Sequence, residues 1–138
     1  MMKTPAILII FLLATLSFVA CGSSDVAADQ AAIEKVIRGY VSSYNASNFD
    51  ETLTYFTGFA DRQDALSYLA FLRSQSGELT LVNFDPEGIA VEGSTAKVPA
   101  EFRIMGEVGF QWIHLKKEEG NWKILWEQEN LPGSGGFS

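Results

Sequence analysis

Between residues 28 and 130 the spacing of apolar residues changes once, near Glu78, and the change restricts the folds that are available to this chain. Before Glu78, apolar residues recur every three or four positions, as on one face of a helix. After Glu78 they alternate with polar residues, as along a strand. Helices followed by antiparallel strands indicate the α+β class. The 138 residues suffice for one domain with its own core, and not comfortably for two.

Three helices are predicted before the change of period. The first spans residues 28–45 and carries an apolar stripe at helical spacing. The second begins at Asn48, which is followed three positions later by a glutamate, as in a capping box. The third begins after Asp61 and ends at Gly77, a residue type that suits the end of a helix.

Five strands are predicted after the helices, separated by short turns that contain glycine. They cover approximately residues 79–84, 89–92, 95–105, 108–117 and 121–129. If Gly106 and Glu107 form a two-residue turn, Met105 pairs with Val108, and the rest of that hairpin follows. If Lys117 pairs with Trp122 across the next turn, the register continues to the end of the last strand. It then pairs Leu115 with Ile124, Ile113 with Trp126, and Gln111 with Gln128.

These registers divide the strand residues between two faces of the sheet. One face is apolar and is expected to lie against the helices: Ala96, Val98, Ala100, Phe102, Ile104, Ile113, Leu115, Trp122, Ile124 and Trp126. The outer face mixes charged and aromatic residues: Lys97, Pro99, Glu101, Arg103, Phe110, Trp112, His114, Lys116, Lys123, Leu125 and Glu127. His114 is the only histidine, and its place on the outer face argues against a catalytic role for it.

The first twenty residues have the composition of a secretory signal peptide. Lys3 precedes an apolar run at residues 6–20, which is shorter than a membrane span. The residues Val19-Ala20-Cys21-Gly22 then resemble the bacterial lipobox, in which the cysteine is lipidated and becomes the N-terminus after cleavage. Phe18 departs from the leucine that is usual there.

Cys21 is the only cysteine of the chain, and a lipidated cysteine needs no disulfide partner. Two or three acyl chains on it would hold a small domain stably at a bilayer. The alternative is an ordinary signal peptide whose removal leaves a free thiol. Resemblance to Gram-negative lipoproteins, through Gly22, implies the outer membrane, with the domain facing the periplasm. The predicted organisation is a leader at 1–20, the lipidated cysteine and a linker at 21–27, a domain at 28–130, and a flexible tail at 131–138.

Three stretches of the domain resemble one known group of proteins. The first helix continues into YVSSYNASNFD, a second helix ends in Tyr55-Phe56, and the closing hairpin reads EGNWKI. Together they resemble the NTF2-like superfamily, which includes SnoaL proteins and ketosteroid isomerases, over residues 28–130. The resemblance implies a cone, in which a curved antiparallel sheet wraps around helices and encloses a pocket. It implies no particular activity, because the fold hosts enzymes and non-catalytic modules alike.

Little of the isomerase chemistry can be carried over to these residues. Tyr40 matches the tyrosine of helix one that donates to the oxyanion in steroid isomerases of the superfamily. The general-base aspartate, however, has no counterpart after helix two, and Gln111 is the nearest polar residue where a second donor should lie. No catalytic residue, cofactor or metal site is therefore predicted. The net charge of −7, without a basic cluster, also argues against a nucleic-acid partner.

Two functions remain open. One is a lipid-anchored, non-catalytic module that binds a small apolar molecule or a protein. The other is an enzyme of the SnoaL or ketosteroid isomerase type that acts on a small hydrophobic substrate. In either case the pocket is expected to be lined by Tyr40, Tyr44, Tyr55, Gln111, Trp126 and Gln128. A homodimer is expected through the outer face of the sheet, where Phe110, Trp112 and Leu125 form an apolar patch.

Overall fold

The computed structural model describes residues 23–132, in which three helices lie against one six-stranded sheet. The elements are α1 Ser23–Asn45, α2 Phe49–Thr54, β1 Phe56–Thr57, α3 Arg62–Ser76, β2 Leu79–Val82, β3 Ala90–Glu92, β4 Thr95–Ile104, β5 Glu107–Glu118 and β6 Asn121–Leu125. The strand order is β1-β6-β5-β4-β2, and β3 also pairs with β4. The predicted α+β class is confirmed. The predicted leader and the lipidation site lie outside the described residues.

Side-chain caps begin α2 and α3 where the sequence predicts them. The side chain of Asn48 accepts a hydrogen bond from the Glu51 amide, and that of Asp61 accepts one from the Asp64 amide. Helix α1 starts at Ser23 rather than at residue 28, so most of the predicted linker is helical.

The two long hairpins follow the predicted faces, although one register is displaced. Leu115 pairs with Ile124 across β5 and β6, as predicted. In the β4–β5 hairpin, however, Ile104 pairs with Glu107, because the turn is formed by Met105 and Gly106. Both turn residues have positive φ, as a two-residue hairpin turn requires. The pairing is displaced by two positions, an even number, so every side chain keeps its predicted face.

The last strand is shorter than predicted, because the chain leaves the sheet after Leu125. The next residues form a turn of 3₁₀ helix, Gln128–Asn130, instead of continuing the pairing with β5. The predicted pairs of Ile113 with Trp126 and of Gln111 with Gln128 are therefore wrong. On the other edge of β6, the two-residue strand β1 pairs in parallel, which the sequence analysis did not predict.

The core lies between the helices and the apolar face of the sheet. All the predicted inward residues of β4, β5 and β6 are buried, whereas Trp126 is half-buried. Asp29 links α1 to the sheet, because it accepts hydrogen bonds from the Trp122 indole at 3.0 Å and from Lys117 at 3.1 Å. The bond from Trp122, aided by Lys117, lowers the pKa of Asp29.

The end of the described chain is packed rather than free. Leu131 and Pro132 are both buried, so the predicted flexible tail does not begin at residue 131. Residues 133–138 lie outside the described part. None of the helices within residues 23–132 has both the length and the apolar composition needed to cross a membrane.

Candidate functional site

An open pocket of about 510 Å³ lies between the loop after β1, the first half of α3 and the end of β6. Its lining combines small residues, three aromatic rings and two carboxylates: Gly58, Phe59, Ala60, Asp61, Asp64, Ala65, Tyr68 and Trp126. The volume falls in the range of roughly 300–1,000 Å³ that is usual for small-molecule sites. We refer to it as the aromatic pocket.

The pairing of β1 with β6 brings two walls of the aromatic pocket together. The Trp126 amide donates a hydrogen bond to the Thr57 carbonyl at 2.8 Å, which holds Trp126 beside the loop that carries Phe59. Gly58 has a φ of 93°, a conformation that favours glycine, and it turns the chain away from the sheet there.

Helix α3 supplies the third wall. Asp64, Ala65 and Tyr68 lie on one face of this helix because they are separated by one turn or less. The cap at Asp61 fixes where the helix begins, and so determines which face is turned to the pocket. Ala65 is buried, whereas Asp64 is exposed and Tyr68 is half-buried at the pocket surface.

Trp126 is the centre of the aromatic cluster. Its ring lies 5.9 Å from that of Phe59 and 6.3 Å from that of Tyr68, with interplanar angles of 72° and 69°. The buried ring of Phe56 supports it from the core at 5.3 Å. Edge-to-face pairs of this kind are favourable beyond the area that they bury. The three rings at the pocket therefore form steeply inclined walls.

The charge of the aromatic pocket is negative. Asp61 and Asp64 are both exposed, and one oxygen of Asp61 accepts the helix-capping hydrogen bond from the Asp64 amide at 2.9 Å. The adjacent Arg62 forms its ion pair with Asp50, away from the two aspartates. The lining contains no lysine, arginine or histidine. A bound molecule would therefore meet acidic groups and aromatic rings together.

Proteins of known structure share this arrangement of helices and sheet. Rv3472 from Mycobacterium tuberculosis, a protein of unknown function, matches with a TM-score of 0.56 at 15% identity, over 71% of this chain and 72% of that chain. A variant of Rd1NTF2_05 matches with a TM-score of 0.52 at 14% identity, over 75% of this chain and 95% of that one. This chain has the NTF2-like fold.

A further NTF2-like protein, of unknown function and from Shewanella oneidensis MR-1, has a TM-score of 0.47 at 14% identity, over 70% of this chain and 95% of that chain. No protein-family model and no curated protein matches the sequence. The predicted NTF2-like fold is confirmed by the two matches whose TM-scores exceed 0.5, and at such low identities the likeness extends to the fold alone.

Two of the predicted pocket residues lie in the core of this NTF2-like domain. Tyr40 and Tyr44 are 1% and 0% exposed, and neither lines the aromatic pocket. The Tyr40 ring packs edge-on against Phe56 at 5.2 Å. Burial, with a smaller contribution from Tyr44, raises the pKa of Tyr40 well above its ordinary value, so its hydroxyl stays neutral. The tyrosine that matches the isomerase donor is thus a core residue here.

The other predicted pocket residues do not line the aromatic pocket, apart from Trp126. Tyr55 lines a separate cavity of about 330 Å³ beside α1. The Gln111 amide reaches the Glu129 carbonyl at 3.5 Å, and Gln128 is exposed in the turn that follows β6. The two glutamines are therefore not cross-strand partners, because β6 ends before Gln128. Of the six predicted residues, Trp126 lines the aromatic pocket.

Sequence reasoning missed Phe59, Tyr68 and the two aspartates as pocket residues. Asp61 was interpreted only as the start of a helix, which is also correct. A local signal existed in the closely spaced aromatic and acidic residues of the segment 59–68. By itself that signal does not predict a pocket, because the pocket also needs Trp126, which only the pairing of β1 with β6 brings beside this segment.

His114 lies on the outer face, as predicted, and is half-buried. Its Nδ1 atom is 3.9 Å from a carboxylate oxygen of Glu127. Potential ligand atoms of His114, Glu127 and Glu129 all lie within 4.8 Å of one another, and these are donor types that bind divalent cations. Exposed acidic groups occur frequently without an ion, so this grouping alone does not indicate a metal centre.

Tyr44→Phe is expected to stabilise the domain. The Tyr44 hydroxyl is buried without a hydrogen-bond partner among the described residues, and burial raises its pKa to about 12. Removing an unsatisfied buried hydroxyl should raise the free energy of unfolding by about 1 kcal/mol. Chemical denaturation measures this change, with Tyr68→Phe at the half-exposed pocket surface as the control. A loss of stability in Tyr44→Phe would instead reveal a buried water, for example one shared with Nε of Arg73, which is also buried without a partner within residues 25–132.

Proposed function

We propose that this chain is a bacterial lipoprotein, anchored to the outer membrane through Cys21, whose NTF2-like domain binds a small molecule without catalysing a reaction. The aromatic pocket around Trp126 is the observation that carries the proposal. Binding sites for small molecules are typically apolar concavities with a few polar groups, and the pocket has this composition.

A non-catalytic role is favoured by the environment of the pocket carboxylates. General bases in enzymes are commonly tuned by burial or by a neighbouring charge. Asp61 and Asp64 are exposed to solvent, and Asp61 caps a helix. The alternative, an enzyme of the SnoaL or ketosteroid isomerase type, has less support, because Tyr40 is buried away from the aromatic pocket.

Trp126→Leu should abolish saturable binding of a small neutral aromatic probe. We suggest 4-nitrobenzyl alcohol, whose ring can stack against an aromatic wall. Titration of the purified full chain, measured by isothermal titration calorimetry, should give saturable binding because the probe stacks beside Trp126 in the pocket. Calorimetry measures binding without relying on the tryptophan that the variant removes.

Trp112→Leu is the matched control for this experiment, since it makes the same substitution at an exposed tryptophan of the outer face. It should retain the saturable binding that Trp126→Leu loses. Equal loss in both variants, or no saturable binding to the wild type, would contradict binding in the aromatic pocket.

We also propose that the domain forms a homodimer through the outer face of the sheet. Val108, Phe110 and Trp112 alternate along β5 and are 52%, 51% and 43% exposed, which is an unusual row for a free surface. Leu125 is half-buried, so Val108 contributes more to the patch than the predicted Leu125. Charges of both signs flank the row, including Lys97 4.7 Å above the Trp112 ring. A two-fold axis can bring such charges into opposite pairs.

Trp112→Glu should convert the dimer into a monomer, because it replaces a large aromatic residue of the apolar row with a charge. Sedimentation of the full chain in detergent measures this change. Phe71→Glu is the matched control, since Phe71 is 55% exposed on α3 and lies outside the row. A wild-type monomer at high micromolar concentration, or dissociation by both variants alike, would contradict this interface.

A further inference from the structure

The geometry of the aromatic pocket points to a chemical class of ligand: we propose that it recognises an alkylated ammonium group, such as a trimethylammonium head. This inference rests on the proposed small-molecule function and specifies its substrate class. It depends on two features of the pocket, the inclined aromatic rings and the unpaired acidic charge, which are independent of each other.

The rings provide the surface that such a cation prefers. The rings of Phe59 and Tyr68 are inclined at 72° and 69° to that of Trp126, and their centroids lie 5.9 Å and 6.3 Å from its centroid. A cation is attracted to the electron-rich faces of aromatic rings, most strongly to that of tryptophan. Several inclined rings around one cavity allow the methyl groups of a quaternary ammonium to make van der Waals contact on more than one side, as in aromatic cages.

The carboxylates provide the charge. Asp61 and Asp64 line the same cavity, and the neighbouring Arg62 is paired with Asp50 instead of with either of them. Among residues 25–132, no hydrogen bond or ion pair involves the Asp64 side chain. The whole chain carries a net charge of −7, which further favours a cationic ligand over an anionic one.

An alkylated ammonium fits this combination better than other cations do. A metal ion needs several oxygen, nitrogen or sulfur ligands, whereas most of this lining is aromatic or small. A primary ammonium is compact and strongly hydrated, so contact with the rings would cost it more water. A neutral apolar ligand would satisfy the rings but would make no use of Asp61 and Asp64.

Three small probes of related shape distinguish these cases. Choline carries a trimethylammonium head, 3,3-dimethyl-1-butanol is its neutral carbon isostere, and ethanolamine carries a primary ammonium instead. Binding of each probe to the full chain is measured by isothermal titration calorimetry, in a detergent without charged groups. We expect choline to bind about tenfold more tightly than either of the other two, from cation–π and charge attraction together.

Variants separate the ring contribution from simple burial. Tyr68→Leu keeps an apolar wall without a π face and should weaken choline about three- to tenfold. The same variant should leave the affinity for dimethylbutanol unchanged, and Tyr68→Phe should restore choline binding. Asp64→Asn should weaken choline and reduce its salt dependence. Asp25→Asn, which makes the same charge change in the first turn of α1, should do neither.

Each result supports or overturns the inference. Choline binding that exceeds the isostere, falls in Tyr68→Leu and recovers in Tyr68→Phe supports it. Equal binding of choline and dimethylbutanol overturns it and leaves the proposed function intact, since the pocket would then be a general apolar site. Choline binding that is unchanged in Tyr68→Leu also overturns it. If 4-nitrobenzyl alcohol and choline both fail to bind, the proposed function fails together with the inference.

Discussion

Cys21→Ala should abolish incorporation of labelled palmitate and move the protein out of the membrane fraction. Cys21 follows a predicted signal peptide and is the only cysteine, so the variant lacks the sulfur to which a diacylglyceryl group would be attached. Several acyl chains bind a bilayer stably, whereas a domain without them has no comparable anchor. The measurement is growth with an alkyne-labelled fatty acid, followed by fractionation and detection of the label on the protein.

Ser23→Ala is the matched control, because it alters a neighbouring small residue and leaves the cysteine in place. It should keep both the label and the membrane location. N-terminal sequencing of Cys21→Ala shows whether residues 1–20 have been removed or remain as an uncleaved segment. Label on the Cys21→Ala protein, or a wild-type protein without label, would contradict the proposed lipidation.

Asn130→Ala should destabilise the domain by about 2 to 4 kcal/mol, because it removes a fully buried side chain and leaves two partly buried backbone groups without partners. The Asn130 side chain is fully buried and takes the place of a neighbouring strand beyond the end of β6. Its oxygen accepts from the His114 amide at 3.1 Å, and its nitrogen donates to the Leu125 carbonyl at 2.9 Å. Urea denaturation of the full chain measures the loss.

Asn121→Ala is the matched control for this substitution. The Asn121 side chain is exposed and, within the described part of the chain, reaches only the Glu119 carbonyl, at 3.4 Å, so its loss should change stability by less than about 0.5 kcal/mol. Asn130→Asp should be destabilised as well, because a carboxylate cannot donate to the Leu125 carbonyl. If Asn130→Ala unfolds at the wild-type urea concentration, the account of how the chain leaves the sheet is wrong.

Asn130 also explains why the end of the last strand could not be predicted from the sequence. Strict alternation predicted the two faces of β4 and β5 correctly, and it tolerated a turn that was misplaced by one residue, because the pairing changed by two positions. No glycine or proline follows Leu125 before Pro132, so the sequence shows no turn there and the last strand was predicted to be too long. The strand ends where the buried Asn130 side chain accepts a hydrogen bond from the His114 backbone amide. A hydrogen bond between residues so far apart in the sequence leaves no periodic pattern from which it could be predicted.

The candidate site was harder to predict than the fold for a similar reason. The aromatic residues of the first helix were expected in the pocket because they share a stripe, but a stripe identifies buried residues without distinguishing core from cavity. Tyr40 and Tyr44 are core residues for this reason. The pocket instead forms where a two-residue strand meets β6, and a strand as short as β1 leaves almost no pattern in a sequence.

A small molecule held beside Trp126 should accompany the protein when it is purified from its own cell. The full chain and the variants Trp126→Leu and Trp112→Leu would be purified alike and denatured, and the released small molecules analysed by mass spectrometry. We expect one compound, with an alkylated ammonium group, from the wild type and Trp112→Leu, and a strongly reduced amount from Trp126→Leu. Equal amounts from both variants, or no compound from the wild type, would contradict it.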